Sequence, residues 1–170
     1  MGKLDDLKKT LGMGARSNKY KIILSSPSGG PDGEEINTLA KSTTIPGRSF
    51  NDIQVWYQGR LITVAGDAQY DSTWSVTFLD DEKHSLRTKF NNWMEFIDSV
   101  KNDKRISTDN PSYMTSVKLS QLSSVTGYPT ATYELYDVYP KSMSDISFSD
   151  DNSSLIEFTI EFNFSYWEKI

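Results

Sequence analysis

From Leu155 to Trp167 the chain alternates without a break: Ile156, Phe158, Ile160, Phe162, Phe164 and Tyr166 hold the even positions, and Glu157, Thr159, Glu161, Asn163 and Ser165 the odd ones. A period of two is the repeat of a β-strand with one face buried. At ~3.3 Å per residue the run predicts a strand of about 35 Å, against ~20 Å for an ordinary strand. A strand that long has edges to hide, which calls for a closed β-barrel or for pairing across subunits. Its even residues from Ile156 to Phe164 are candidate core.

The rest of the chain extends the β pattern. Trp74, Val76 and Phe78 alternate with Ser75 and Thr77, predicting a second half-buried strand with those three residues inward. Tyr20 to Leu24 reads as a first strand, Ile36 to Thr44 as another ending before Pro46-Gly47, and Thr130 to Tyr139 as a later one. Phe50 to Tyr57 and Leu61 to Ala65 flank Gln58-Gly59-Arg60 as a hairpin would.

Two helices interrupt this pattern. Leu86, Phe90, Trp93, Ile97 and Val100 recur at spacings of four and three, with charged residues between, which predicts the main helix over residues 81–101. Asp80 or Asp81 would cap its first turn, and Glu82 would complement its dipole. Leu86, Phe90, Trp93 and Ile97 join the candidate core. Leu4, Leu7 and Leu11 form a shorter stripe that Gly12 and Gly14 end, so residues 1–14 read as a short helix or arm. A helix this short is marginal alone and must dock on something. Residues 25–35, with Pro27, Pro31 and several glycines, read as a flexible loop, and Asn102 to Tyr113 is polar and turn-rich.

Composition removes most chemistry. At 170 residues the chain predicts one domain. With 36% hydrophobic and 24% charged residues it is too apolar for disorder. No apolar run approaches the ~18 residues of a membrane span, and the start Met1-Gly2-Lys3-Leu4 has no signal-like apolar stretch. Zero cysteines exclude disulfides, thiolate metal sites and cysteine nucleophiles, and the single His84 excludes any His-paired metal site within one chain. The net charge of −5 opposes nucleic-acid binding.

The remaining candidates read as structure. Asp80-Asp81-Glu82 with His84 offers ligand atoms, but these are what a helix start prefers, and His84 reads as a helix-surface residue. Gly12-Met13-Gly14 and Ser28-Gly29-Gly30 lack the rest of a phosphate-binding loop. Asn152-Ser153-Ser154 and Asn163-Phe164-Ser165 match a glycosylation pattern with no secretory signal behind it. Trp56 and Trp167 sit off the apparent core faces of their segments, where an interface role is the commoner one. No catalytic constellation is present, so the expectation is a protein that is not an enzyme and needs no cofactor or metal.

Several segments together resemble a known family. They are Ala15 to Ile22, Lys41-Ser42-Thr43-Thr44-Ile45-Pro46-Gly47, the long run Val64-Ala65-Gly66-Asp67 through Trp74-Ser75-Val76-Thr77-Phe78, Asp81-Glu82-Lys83-His84 through Trp93, and Phe164-Ser165-Tyr166-Trp167-Glu168. Their order is similar to that of tail tube proteins of contractile-tailed bacteriophages. Only the Pro27 to Gly33 stretch is longer than that pattern leads one to expect.

The resemblance implies an antiparallel β-barrel or sandwich with one flanking helix, closing into a homohexameric ring that stacks into a tube. It also implies tail sheath, baseplate or initiator, and tape-measure proteins as partners, and a place in the virion tail after assembly in the host bacterial cytoplasm. Phage DNA would pass without sequence-specific binding, and no membrane is involved. Glu134, Glu157 and Glu161 are the candidates to face the channel, although solvated strand carboxylates would look the same. Two further readings stand beside this one: a baseplate or initiator subunit, or tube of an injection machine, with the same fold; and a monomeric β-rich module that binds a ligand through its tryptophans.

Overall fold

A computed structural model describes residues 3–12, 14–27, 30–102, 113–151 and 153–170. The helices are α1 (Lys3–Leu11), α2 (Gly33–Leu39) and α3 (Ser85–Asn102). The strands are β1 (Tyr20–Leu24), β2 (Ala40–Thr43), β3 (Arg48–Tyr57), β4 (Arg60–Tyr70), β5 (Thr73–Leu79), β6 (Thr115–Leu122), β7 (Pro129–Met143), β8 (Glu157–Asn163) and β9 (Tyr166–Lys169). Seven of them form one antiparallel sheet in the order β1-β6-β7-β8-β5-β2, with β9 also on β7, while β3 and β4 form a separate two-stranded ribbon.

The large sheet bends over on itself at β7. Its first part pairs with β6 up to Val138 and with β9 through Tyr133–Tyr136; its last part, from Tyr139 to Met143, pairs with β8. The change falls at Asp137, a non-glycine residue at φ +58°, the kind of irregularity that turns a strand from one layer into another. The result is an open, sandwich-like barrel. The end strands β1 and β2 share no ladder. Side chains bridge their seam instead: the Tyr20 hydroxyl donates to the Ala40 carbonyl at 2.9 Å, and the Ile22 amide to Asn37 Oδ1 at 2.7 Å.

The same bend breaks the predicted long strand in two. β8 and β9 follow one edge of β7, and the ladder breaks on both strands at once, where Phe164 and Ser165 stand opposite Asp137 and Val138. Phe158, Ile160, Phe162 and Phe164 are buried, whereas beyond the break Tyr166 is exposed and Trp167 turns toward the core. Ile156 lies just ahead of β8 and is half-buried, outside the core cluster of fully buried residues.

Trp74, Val76 and Phe78 of β5 point inward opposite Phe162, Ile160 and Phe158. Helix α3 lays Leu86, Phe90, Trp93 and Ile97 into the same core. The Phe90 ring sits 5.3 Å from that of Phe78 and 5.9 Å from that of Phe162. β1, β6 and β7 contribute Ile22, Leu24, Val117, Leu119, Leu135 and Val138 from the other layer.

Three segments depart from the expectations above. The strand expected over Ile36 to Thr44 is helix α2 followed by the short β2. Asp32 and Glu35 form a reciprocal capping box, which starts a helix where propensity alone reads β, and Ile36 becomes core. The flexible loop over 25–35 is thus shorter at its C-terminal end; residues 28 and 29 lie outside the described residues. The main helix starts at Ser85 rather than at 81, because Asp81 folds back to accept from the Ser85 amide and hydroxyl, each at 2.7 Å. β6 is a strand beyond those expected: Val117 and Leu119 alternate with Ser116, Lys118 and Ser120, but two apolar positions are too few to mark it. Most of the polar stretch 102–113, namely 103–112, falls outside the described residues, as do Met13 and Asn152.

His84 is not on the helix surface. It precedes α3 at φ +51°, and its Nδ1 lies 2.5 Å from Oδ2 of Asp80, whose side chain has no exposed surface. The ring covers a buried carboxylate and holds the turn into α3.

Candidate assembly surface

The β3–β4 ribbon is built like an arm. A two-residue turn at Gln58 and Gly59, both at positive φ, is the tight connection that suits the twist of a hairpin. Ten residues of β3 at ~3.3 Å each make it about 33 Å long. Every residue of β3 is exposed, and every residue of β4 but Gly66 and Tyr70.

Its facing follows from the register. Ile53 pairs with Val64, Val55 with Ile62 and Tyr57 with Arg60 on one face; Asp52 pairs with Ala65, Gln54 with Thr63 and Trp56 with Leu61 on the other. One face is thus apolar for most of its length. The second is polar until Trp56, which is 72% exposed. Near the root β4 bulges, with Gly66 and Asp67 opposite Asn51, and a Cβ on Gly66 would come 2.8 Å from the Asn51 carbonyl oxygen. Only glycine fits that approach. A two-stranded hairpin is marginal in water, and one that exposes an apolar face needs a partner to cover it.

The root of the arm is clamped to the body. The Arg48 guanidinium lies 5.7, 6.0 and 5.8 Å from the ring centroids of Phe50, Tyr70 and Trp167. The Trp167 indole donates to the Gly47 carbonyl at 3.3 Å and meets Tyr70 and Tyr133 edge to face. A cation among three aromatic faces is a stabilising arrangement, and here it ties the first residue of the arm to β9. Trp167 therefore serves to fix the arm. Trp74 and Trp93 are core residues and Trp56 sits at the far end of the ribbon, so the four tryptophans do not converge on one ligand cleft.

The three candidate channel glutamates do not share a face. Glu134 lies on the outward face of the β1-β6-β7-β9 layer, 4.0 Å from Lys118 Nζ, and accepts from the Tyr136 hydroxyl at 3.1 Å. Burial, and then that bond to Glu134, push the Tyr136 phenol above its ordinary value. Glu157 and Glu161 lie on the outward face of the β8-β5-β2 layer. Glu157 is paired with Lys41, and Glu161 accepts from the Ser142 hydroxyl at 3.1 Å. Around them are short hydroxyl side chains, with Thr77 and Thr159 hydroxyls 3.0 Å apart and Ser75 opposite Glu161.

A family model described as phage tail tube protein matches residues 15–169. The chain belongs to the phage tail tube protein family. It is 27% identical over 169 residues to "Tail tube protein gp19" of Enterobacteria phage T4, covering 97% of this chain and 99% of that protein, and 26% identical to the protein of the same name of Enterobacteria phage T6. Its relatives are thus structural tail components. The fold is shared with a chain of the anti-feeding prophage baseplate, at TM-score 0.65 and 12% identity over 92% of this chain and 95% of that one. It is also shared with a chain of the sheath-tube complex of an extracellular contractile injection system, at TM-score 0.65 and 11% identity over 100% and 99%. The tail tube match begins after α1, which leaves that helix outside the span that defines the family here.

Proposed function

We propose that this tail tube protein is a non-enzymatic subunit of stacked hexameric rings that form the inner tube of a phage tail. The observation that carries the reading is the β3–β4 ribbon, which exposes Ile53, Val55, Ile62 and Val64 on one face while its root is held rigidly against Trp167. A monomer gains nothing from such an arm, whereas a polymer covers it at every repeat.

In this arrangement the β8-β5-β2 layer faces the channel. Its outward surface carries Glu161, Glu157 with its partner Lys41, and serine and threonine hydroxyls; the carboxylates oppose phosphate, and Lys41 is held by Glu157. DNA slides past because tight binding needs cations that displace its counterions. The other layer, with Glu134, faces a neighbour. Sheath, baseplate and tape-measure proteins are the partners of such a tube, and its place is the virion tail, assembled in the host cytoplasm. No cofactor or metal takes part. Electron microscopy of the purified protein at high concentration is the test. Stacked rings with an open channel are expected, and a protein that stays a monodisperse monomer overturns the reading.

A further inference from the structure

Tyr136 of β7 and Tyr166 of β9 stand directly opposite each other in the ladder that joins those strands. Their rings stack, with centroids 4.7 Å apart and planes 20° from parallel. Tyr166 is exposed and Tyr136 half-buried, so a solute reaches the pair from the Tyr166 side. Further along the same ladder Glu134 stands opposite Glu168. Two like charges set directly across a ladder oppose each other, and Lys118, 4.0 Å from Glu134, brings one positive charge against the two. The face that presents the two phenols is therefore negative.

We propose that Tyr136 and Tyr166 are a site of oxidative cross-linking, joined within one chain as a dityrosine by a cationic one-electron oxidant such as an oxidised metal complex. The inference is independent of ring formation, because both phenols belong to the same chain. A cationic oxidant is drawn to the Glu134–Glu168 face. Losing an electron makes a phenol strongly acidic, and Tyr136 has its proton acceptor in place: its hydroxyl donates to Glu134 Oε2 at 3.1 Å, within reach of a direct proton transfer.

The step balances as follows. One oxidant takes an electron from Tyr136 while the phenolic proton passes to Glu134. A second oxidant takes an electron from Tyr166, whose proton goes to water. The two phenoxyl radicals form one C–C bond between ortho carbons of the facing rings. Each displaced ortho hydrogen then moves through water to its own ring oxygen, which restores both phenols. Two electrons and two protons leave, and no atom is added. Side chains directly opposite on a ladder have Cβ atoms ~4.5–5.5 Å apart, and rotamer motion on the picosecond-to-nanosecond scale brings the ortho carbons together.

Tyr113 and Tyr139 also touch, but edge to face at 5.7 Å, and the Tyr139 hydroxyl meets the Asn163 amide at 3.0 Å, which takes no proton. In a chain without cysteine the bond closes residues 136–166 into a covalent loop, restricting the unfolded chain as a disulfide does. It also fixes β9, and with it Trp167, onto β7.

The test is photo-oxidation of the dispersed full-length protein with a ruthenium complex and persulfate. Dityrosine fluorescence is expected in a product of single-chain mass, and digestion should yield the Tyr136 and Tyr166 peptides joined and lighter by two hydrogens. The oxidised parent should melt higher than the untreated one. Tyr166→Phe, which keeps the ring, should abolish the product, and Tyr113→Phe should leave its yield unchanged. Glu134→Gln should cut the yield several-fold while its melting temperature before oxidation stays close to the parent's, a split that a merely structural role does not give. A dominant cross-link elsewhere, a cross-link found only between chains, or a parent-like yield from Tyr166→Phe overturns the proposal. A parent-like yield from Glu134→Gln overturns the part assigned to that carboxylate.

Discussion

The guanidinium carbon of Arg48 lies 5.8 Å from the ring centroid of Trp167, so the first residue of the exposed arm rests on the last strand of the body. That contact joins two segments far apart in sequence and sets the angle at which the arm leaves the sandwich. Replacing Arg48 with Ala should remove about 1 kcal/mol of cation–π stabilisation and lower the melting temperature only slightly. Ring formation should fall much more, since a swinging arm must be ordered at each contact. Calorimetry and microscopy on the same preparation read the two effects, and a variant that assembles like the parent would show that the clamp does not aim the arm.

Phe162 is fully buried, with its ring 4.9 Å from Trp74 and 6.3 Å from Trp93. Phe162→Ser removes the centre of that aromatic cluster and leaves a hydroxyl in its place, at a cost of about 3 kcal/mol or more. Urea unfolding of the variant against the parent measures it.

The two outward faces make opposite predictions. With Glu157 and Glu161 at the channel wall, replacing both by Lys should leave rings intact and slow DNA ejection, with relief at high salt as phosphate contacts are screened. Glu134→Lys should instead weaken assembly and leave ejection through any tubes that form unchanged. The reverse pattern would put the other layer at the channel.

His84→Ala exposes the buried Asp80 carboxylate and removes one of its partners. Loss of a partner for a buried polar group costs about 1–3 kcal/mol, so thermal unfolding should move down measurably, and rescue by His84→Gln would show that hydrogen bonding alone is what the position supplies.

Asp81 gives the pH dependence. Bonds from the Ser85 hydroxyl, then the Ser85 amide, hold its carboxyl below its ordinary value of 3.8. A lowered folded value means its contribution is complete above 3.8 and is lost as pH falls through the folded value. The melting-temperature gap between the parent and Asp81→Ala should be constant from neutral pH down to that point and close below it.

Local pattern determined much of this protein. The period of two in Trp74–Phe78 and Phe158–Phe164, and the helical spacing of Leu86, Phe90, Trp93 and Ile97, each encode which side is buried, because side-chain direction follows backbone repeat within a few residues. The Gln58-Gly59 turn was legible for the same reason, and so was the absence of cysteine or paired histidine chemistry. Tertiary structure decided what depends on partners distant in sequence. The ladder breaks at Phe164 and Ser165 where β7 changes layers at Asp137, and beyond the break Tyr166 and Trp167 face opposite to what simple alternation would assign. Ile36 went into a helix because Asp32 and Glu35 cap each other and the core had room for it. Glu134 parted from Glu157 and Glu161 because a sandwich has two outward faces, while alternation in sequence tells only inward from outward. The clamp of Arg48 on Trp167 needed the chain's two β-rich regions to meet, which no local repeat encodes.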